Sequence, residues 1–324
     1  MSQGQDAKVL LMGKAGAGKT SMKSIIFANY HARDTKVLHQ TNLVEYSSLR
    51  FLGNLRLNLW DCGGQDQFME NYFESQRENI FQNAEVLIYV LVAVADKTEK
   101  RDREGRPGKS EMNKELEYFR HAMDSLRTFS PHAKVFCLVH KLDLLVESKK
   151  MEVFNHFKQE LQQIAQGVTL TCFATSIWDE SLFKAWSDIV RTMIPDVNLL
   201  EAQVKHFCEI CKADEVVLFE KNTFLLINTC SRKEATDNHR FEKISNIVKQ
   251  FKLSCGRVNT HFRSFKISNH KFTATIQPFL EHSFVMIVTS DPNVKQAAVE
   301  ANLSAARRHF LDMTKAGAAF GVHL

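Results

Sequence analysis

The sequence predicts an α/β first half built on a mostly parallel sheet, followed by an α+β second half built on an antiparallel sheet. Up to about Met193, short apolar runs alternate with segments of helical period, the pattern of strands joined by crossover helices. Pro195-Asp196 then interrupts the chain, because proline cannot extend the preceding helix and aspartate is a favoured N-cap for the next one. Beyond it, strand-like runs follow one another across short turns, as in antiparallel sheets. These observations place one domain at 1–194 and another at 195–324.

Lys8 to Met12 is a compact apolar run that stops at Gly13 and reads as a buried strand. Lys19 to Tyr30 carries apolar residues at three- and four-residue steps and reads as a helix. Leu49 to Trp60 holds two extended stretches divided by the turn-favouring Gly53-Asn54. Val86 to Val94, Lys134 to His140 and Thr169 to Ala174 are further buried-strand candidates. Glu111 to Arg127, Glu147 to Gln166 and Asp179 to Thr192 have helical period, the last ending just before Pro195.

In the second half, Asp196 to Ala213 reads as a helix, with Glu215 to Glu220 and Thr223 to Thr229 as a hairpin pair. His239 to Ser254 is a helix with Phe241, Ile244, Ile247, Val248 and Phe251 on one face, a core face whose functional version is a dimer interface. Phe262 to Ile267, Lys271 to Pro278 and Ser283 to Thr289 read as strands, and Val294 to about Met313 as a closing helix. Asp96 to Lys114 is so rich in charge and so poor in apolar residues that it reads as a mobile charged insertion.

Composition narrows the function classes. The net charge of +5 over 324 residues is too small to argue for nucleic acid or for unaided membrane binding. Seven cysteines at scattered spacing, with no charged-then-apolar leader, fit a reducing, cytosolic setting. The longest apolar run, Val86 to Ala95, falls well short of the roughly 20 residues that span a bilayer. The chain starts Met-Ser and ends Gly321-Val322-His323-Leu324, without a lipidation signal, so membrane attachment would come through a partner rather than direct insertion. Cys208 and Cys211 have metal-like spacing, but a single pair on a predicted helix reads as small apolar residues.

Gly13-Lys14-Ala15-Gly16-Ala17-Gly18-Lys19-Thr20 satisfies the phosphate-loop pattern between a strand and a helix. Glycines let backbone N–H groups converge on phosphate oxygens, Lys19 supplies positive charge, and Thr20 can ligate magnesium. Ser21 joins the same nucleotide-binding set. Asp61-Cys62-Gly63-Gly64-Gln65 follows a second strand: Asp61 can hold magnesium through its water shell, Gly64 can offer its N–H to a γ-phosphate, and Gln65 can orient an attacking water. Between them, Thr41 is the candidate threonine that closes on magnesium and the γ-phosphate, with Thr35 as the alternative.

His140-Lys141-Leu142-Asp143 ends a buried strand. Asp143 can accept hydrogen bonds from the N1–H and exocyclic amine of guanine, while the Lys141 stem lies along the base. His140 stands where Asn is usual in that motif, which leaves an ATP-using phosphate-loop enzyme open. Ser176 and Ile177, in Thr175-Ser176-Ile177, are placed to offer backbone N–H groups to the guanine oxygen.

Lys8-Val9-Leu10-Leu11-Met12-Gly13, Phe51-Leu52-Gly53-Asn54-Leu55, Leu59-Trp60-Asp61-Cys62-Gly63-Gly64-Gln65, Val139-His140-Lys141, Thr175-Ser176-Ile177-Trp178-Asp179 and Arg240-Phe241-Glu242-Lys243-Ile244-Ser245-Asn246-Ile247 closely resemble the Rag GTPases of the A/B type. In that family His in place of Asn is usual, so His140 supports the resemblance. It implies a Ras-like P-loop G domain followed by a longin/roadblock-like dimerisation domain, with GTP/GDP and Mg as ligands. It further implies a Rag C/D-type GTPase as heterodimer partner and a lipidated scaffold complex on the cytosolic face of the lysosomal or vacuolar membrane. The GTP-bound form would there recruit the target-of-rapamycin kinase complex in response to amino acids.

Two hypotheses follow. One is a switch that binds and slowly hydrolyses GTP; Arg33 is the only arginine in the predicted switch stretch, so an activating protein is expected to supply a residue in trans. The other is a nucleotide-dependent scaffold in which hydrolysis is incidental.

Overall fold

The computed structural model describes residues 6–28, 30–39, 41, 44–50, 55–93, 111–194, 196–232, 240–257 and 262–315. They divide into two compact units, one of Asp6–Leu49 with Leu57–Ala185, the other of the residues from Trp186 on together with Arg50, Leu55 and Arg56.

The first unit contains β1 (Asp6–Met12), α1 (Lys19–Phe27), β2 (Val44–Arg50), β3 (Arg56–Cys62), α2 (Asp66–Glu74) and α3 (Arg77–Phe81). These are followed by β4 (Val86–Val92), α4 (Glu111–Phe129), β5 (Lys134–His140), α5 (Glu147–Ile164), β6 (Leu170–Thr175) and α6 (Ser181–Arg191). The strands form one sheet in the order β2-β3-β1-β4-β5-β6. β1, β4, β5 and β6 run parallel, with Leu10 beside Leu87 and Tyr89 beside Cys137. β4, Val-Leu-Ile-Tyr-Val-Leu-Val, is buried at all but its last residue. Such continuous apolar, largely β-branched strands occur where helices cover both faces of a parallel sheet. On one face, Tyr89 of β4 meets Phe119 of α4 edge-on with ring centroids 5.2 Å apart, and Phe157 and Leu161 of α5 join the same core. The carboxyl ends of β1, β5 and β6, where such folds place ligands, lead into the loops that begin at Gly13, Lys141 and Ser176.

The sequence reading leaves residues 66–81 unassigned. There the structure has α2 and α3, each too short to show periodicity, which bury Met69, Tyr72, Ile80 and Phe81. β2 starts at Val44, earlier than Leu49, because an edge strand with Glu45, Tyr46 and Ser47 lacks the apolar signature used to find strands. Gly53-Asn54 lies outside the described residues. The last four residues of the charged insertion, Glu111 to Lys114, belong to α4, whereas Asp96 to Ser110 lie outside the described residues.

The second unit contains α7 (Val197–Ile210), β7 (Glu215–Glu220), β8 (Leu226–Ser231), α8 (Arg240–Arg257), β9 (Phe265–Ser268), β10 (Thr273–Pro278), β11 (Ser283–Thr289) and α9 (Gln296–Lys315). Its sheet, β8-β7-β11-β10-β9, is antiparallel throughout. Alternation along β7 sends Val217 and Phe219 to the side where Val248 of α8, Phe224 and Phe284 pack, and Val216 and Leu218 to the other side, also buried. Phe279 stacks on Phe207 of α7 and meets Phe310 of α9 edge-on. The residues from Trp186 to Arg191 in α6 pack within this unit: the Leu226 amide donates to Ser187 Oγ at 3.0 Å, and Arg191 pairs with Glu201.

Two expectations need correction. Asp196 precedes α7 but makes no side-chain cap; it sits in the left-handed region (φ 50°), and its carbonyl accepts from the Leu199 and Leu200 amides. Aspartate tolerates that conformation, so a cap residue read from sequence here serves as a turn. The apolar face predicted on α8 is only partly core: Val248 is buried, whereas Ile247 and Phe251 are exposed.

Phe119→Ala would leave a cavity against Tyr89 and should cost about 3–5 kcal/mol of stability, read as a lowered midpoint in urea denaturation.

Candidate functional site

The site begins with the loop between β1 and α1. Gly18 has φ 98°, and a Cβ placed there would lie 2.9 Å from His140 Cδ2 and 3.0 Å from His140 Nε2, so the loop and the end of β5 fit only because residue 18 has no side chain. The same holds between the loop and the end of β3: the Ala15 amide donates to the Gly64 carbonyl at 2.7 Å, and a Cβ on Gly64 would lie 2.3 Å from Ala15 N. The first turn of α1 carries no acidic residue, leaving its positive end unneutralised for an anion.

Lys19 is buried, and its ammonium donates to the Gly13 carbonyl at 2.7 Å and the Lys14 carbonyl at 3.0 Å. Burial pushes its pKa down, and nearby Asp61 pulls it partly back. Thr20 Oγ1 lies 2.7 Å from Thr41 Oγ1 and donates to Asp61 Oδ2 at 3.0 Å. Asp61 is fully buried, and its Oδ1 has no hydrogen-bond partner among the described residues. Two hydroxyls and a carboxylate with a spare oxygen form the hard-oxygen donor set that suits Mg²⁺. Lys23 is the residue sequence reasoning missed: its ammonium is 3.0 Å from Asp61 Oδ2 and 2.7 Å from Glu45 Oε2. A lysine four positions beyond the loop lysine offers no motif signal; only the return of β2 alongside brings Glu45 to it.

Gln65 precedes α2, and its Oε1 is buried with no partner among the described residues. Thr35, the alternative to Thr41, lies in a 3₁₀ turn (Ala32–Val37), where its hydroxyl donates to the Ala32 carbonyl at 2.8 Å. The structure therefore favours Thr41, whose hydroxyl meets that of Thr20. Arg33 is largely exposed and 3.7 Å from Asp34.

At the far end, Lys141 adopts φ 62° and its ammonium donates to the Gly16 carbonyl at 2.6 Å, tying the base motif to the phosphate loop. Asp143 Oδ1 accepts from Ser176 Oγ at 2.6 Å, and Ser176 Oγ also accepts from the Trp178 amide. His140 Nδ1 is 2.9 Å from Thr175 Oγ1. Burial, then the Lys141 charge, push its pKa down to about 4, against Asp143 and Asp179, so the imidazole is neutral at physiological pH.

These elements enclose a cleft of about 390 Å³ lined by Ala15, Gly16, Gly18, Lys19, Thr20, Ser21, Thr41, Gly64, Gln65, His140, Lys141, Asp143 and Ile177. Gly13, Lys14, Ala17, Asp61 and Ser176 are not among the residues that line it. Thr35, Lys36, Leu38, His39, Leu144 and Trp178 also line it; apart from Thr35, no short pattern in the sequence marks them. Elsewhere, Cys208 of α7 is buried and its thiol donates to the Ala213 carbonyl.

The family model described as "Gtr1/RagA G protein conserved region" matches residues 8–248. The chain is 48% identical to Ras-related GTP-binding protein B of Rattus norvegicus, over 94% of this chain and 85% of that protein. It is 47% identical to GTP-binding protein gtr1 of Schizosaccharomyces pombe, over 98% of both. It is 25% identical to Ras-related GTP-binding protein C of Mus musculus, over 69% of this chain and 53% of that protein. Among solved structures, Myxococcus xanthus MglB covers 38% of this chain and 92% of its own, at 12% identity and a TM-score of 0.32, too low to carry an argument about the second unit.

Gly18→Ala should lower nucleotide affinity at least about tenfold, since its Cβ and the His140 ring compete for one space and the φ suits glycine; equilibrium titration with a fluorescent nucleotide checks this. Because the folded pKa of His140 lies below its ordinary 6.5, the unfolded chain binds the extra proton, so stability is full above about pH 6.5 and falls as pH drops toward 4. The loss should reach about 3 kcal/mol, and urea denaturation of His140→Asn should lack that share of the acid slope.

Proposed function

From the premise that the chain belongs to the Gtr1/RagA family of G proteins, we propose that it is the Rag A/Gtr1-type half of a heterodimeric, guanine-nucleotide-dependent switch. Members of this family bind and hydrolyse GTP, and this chain is a GTPase. The observation that carries the switch reading is the meeting, in one cleft, of Lys19, Thr20, Thr41, Gln65 and Asp143, drawn from four separate segments.

In this reading the loop amides, the start of α1 and Lys19 bind the phosphates, and Asp143, held in place by Ser176, accepts the two guanine donors. Adenine presents an acceptor where guanine has N1–H, so the same carboxylate rejects it. Thr20, Thr41 and Asp61 would hold Mg²⁺, which neutralises negative charge on phosphate oxygens. Gln65, with a buried side-chain oxygen unclaimed among the described residues, orients the attacking water. Arg33 faces solvent, so an activating protein supplies the missing positive charge in trans and unaided hydrolysis is slow.

The partner is a Rag C/Gtr2-type GTPase, joined through the second unit; relatives of that kind match this chain. The heterodimer sits on the cytosolic face of the lysosomal or vacuolar membrane through a lipidated scaffold and recruits the target-of-rapamycin kinase complex when amino acids are present. Support for these last steps is the resemblance to Rag GTPases of the A/B type.

The chain purified with and without such a partner, then denatured, should release stoichiometric guanine nucleotide on ion-exchange chromatography, more with the partner; adenine nucleotide, or none in either sample, would sink the reading. Asp143→Asn should abolish the preference for guanine. Unaided turnover should stay well below about one per second, and turnover at or above that rate would remove the need for an activating protein.

A further inference from the structure

We propose that Cys137 and Cys172 form a peroxide-driven disulfide that clamps β5 to β6 and slows nucleotide release. The two residues face each other in the parallel register of β5 and β6. Side chains facing one another on neighbouring strands point to the same side of the sheet, here into the core that α5 covers. Neighbouring strands lie about 4.8 Å apart, within the Cα separation of about 4.4–6.8 Å that disulfides join.

The pair is chemically unequal. Cys137 is fully buried, and burial holds its thiol protonated. Cys172 lies on β6, at the end of the sheet, and is partly exposed. The neighbouring Cys137 thiol and, less strongly, the charge of Lys158 on α5 favour its thiolate, the form that attacks peroxides, against the opposing effect of its partial burial. Cys62, Cys208 and Cys211 are held protonated by burial, so none of them supplies the thiolate that starts the reaction.

The chemistry closes with hydrogen peroxide as oxidant. Cys172 thiolate attacks one peroxide oxygen, the O–O bond breaks, and a sulfenic acid forms while hydroxide leaves and takes a proton to become water. Cys137 sulfur then attacks the sulfenic sulfur; the S–S bond forms, the S–O bond breaks, and a second water leaves with the Cys137 proton. Two thiols lose two electrons and one peroxide becomes two waters.

Three residues beyond the pair, β5 and β6 end at His140 and Thr175, in contact at 2.9 Å, and then enter the loops that carry Lys141, Asp143 and Ser176. Linking the strands there restrains the parting of these loops that base release requires. The disulfide stands without the guanine reading, whereas its effect on release rests on it.

The test treats the full-length chain with hydrogen peroxide, blocks remaining thiols with N-ethylmaleimide and digests it without reduction. Mass spectrometry should find the Cys137 and Cys172 peptides linked, two hydrogens lighter than their sum, and separated again by dithiothreitol. Cys172→Ala should abolish the link, and Cys137→Ala should leave a Cys172 sulfenic acid that dimedone traps. Oxidation or overoxidation of Cys172 without a link in the unaltered chain would overturn the proposal. Release of a fluorescent GDP analogue should slow at least about threefold on oxidation and be unaffected by peroxide in Cys172→Ala. A linked but equally fast-releasing chain overturns the effect on exchange and leaves the bond, while a chain that binds no guanine nucleotide yet forms the link refutes the function reading alone.

Discussion

A buried ammonium organises the cleft. Lys19 reaches back from α1 to the Gly13 and Lys14 carbonyls. Removed from water, it needs both acceptors and the nearby carboxylate of Asp61. Asp61 is itself fully buried, neighboured by Lys23 and by the Thr20 hydroxyl. Removing any one of these groups weakens the compensation of a buried charge, which is why the ends of β1 and β3 and the start of α1 are fixed to one another rather than merely adjacent. The backbone allows this because Gly18 and Gly64 lack side chains where other chain segments approach within 3 Å.

The same economy of charge appears in the second unit, where the turn after β7 is built around a buried carboxylate. Glu220 Oε2 accepts from the Asn222 amide, the Thr223 amide and the Thr223 hydroxyl. Lys252 of α8 donates to the Lys221 and Asn222 carbonyls, tying the helix to that turn. Lys249, one turn earlier, is buried, and burial pushes its pKa down to about 7. On the helix surface Ile247 and Phe251 remain exposed. A helix that buries a lysine and exposes a phenylalanine departs from the amphipathic norm, and the pairing with a Rag C/Gtr2-type subunit under the proposed function would give those apolar side chains a place to go.

Much of the site was legible because its chemistry demands short, ordered patterns. Gly13 to Thr20, Asp61 to Gln65 and His140 to Asp143 each follow a strand of the parallel sheet, and the fold brings all three to one cleft. The buried strands were legible for a related reason: β4 and β5 must be apolar on both faces, so their sequences differ from everything around them. β2 and the short α2 and α3 were not, since an edge strand and one- or two-turn helices bury too few residues for periodicity to show.

The sequence alone determined which residues carry the side-chain chemistry and spacing that suit a phosphate, a divalent cation and a guanine base, because those properties reside along one segment. Tertiary structure decided what no segment contains: that Thr41 rather than Thr35 meets Thr20, that Lys23 joins Glu45 to Asp61, and that Ser176 fixes Asp143. It also set Cys137 against Cys172. Each of these pairings joins residues distant in the chain. Their contact depends on strand order and register, which follow from burying the whole core at once rather than from any local pattern.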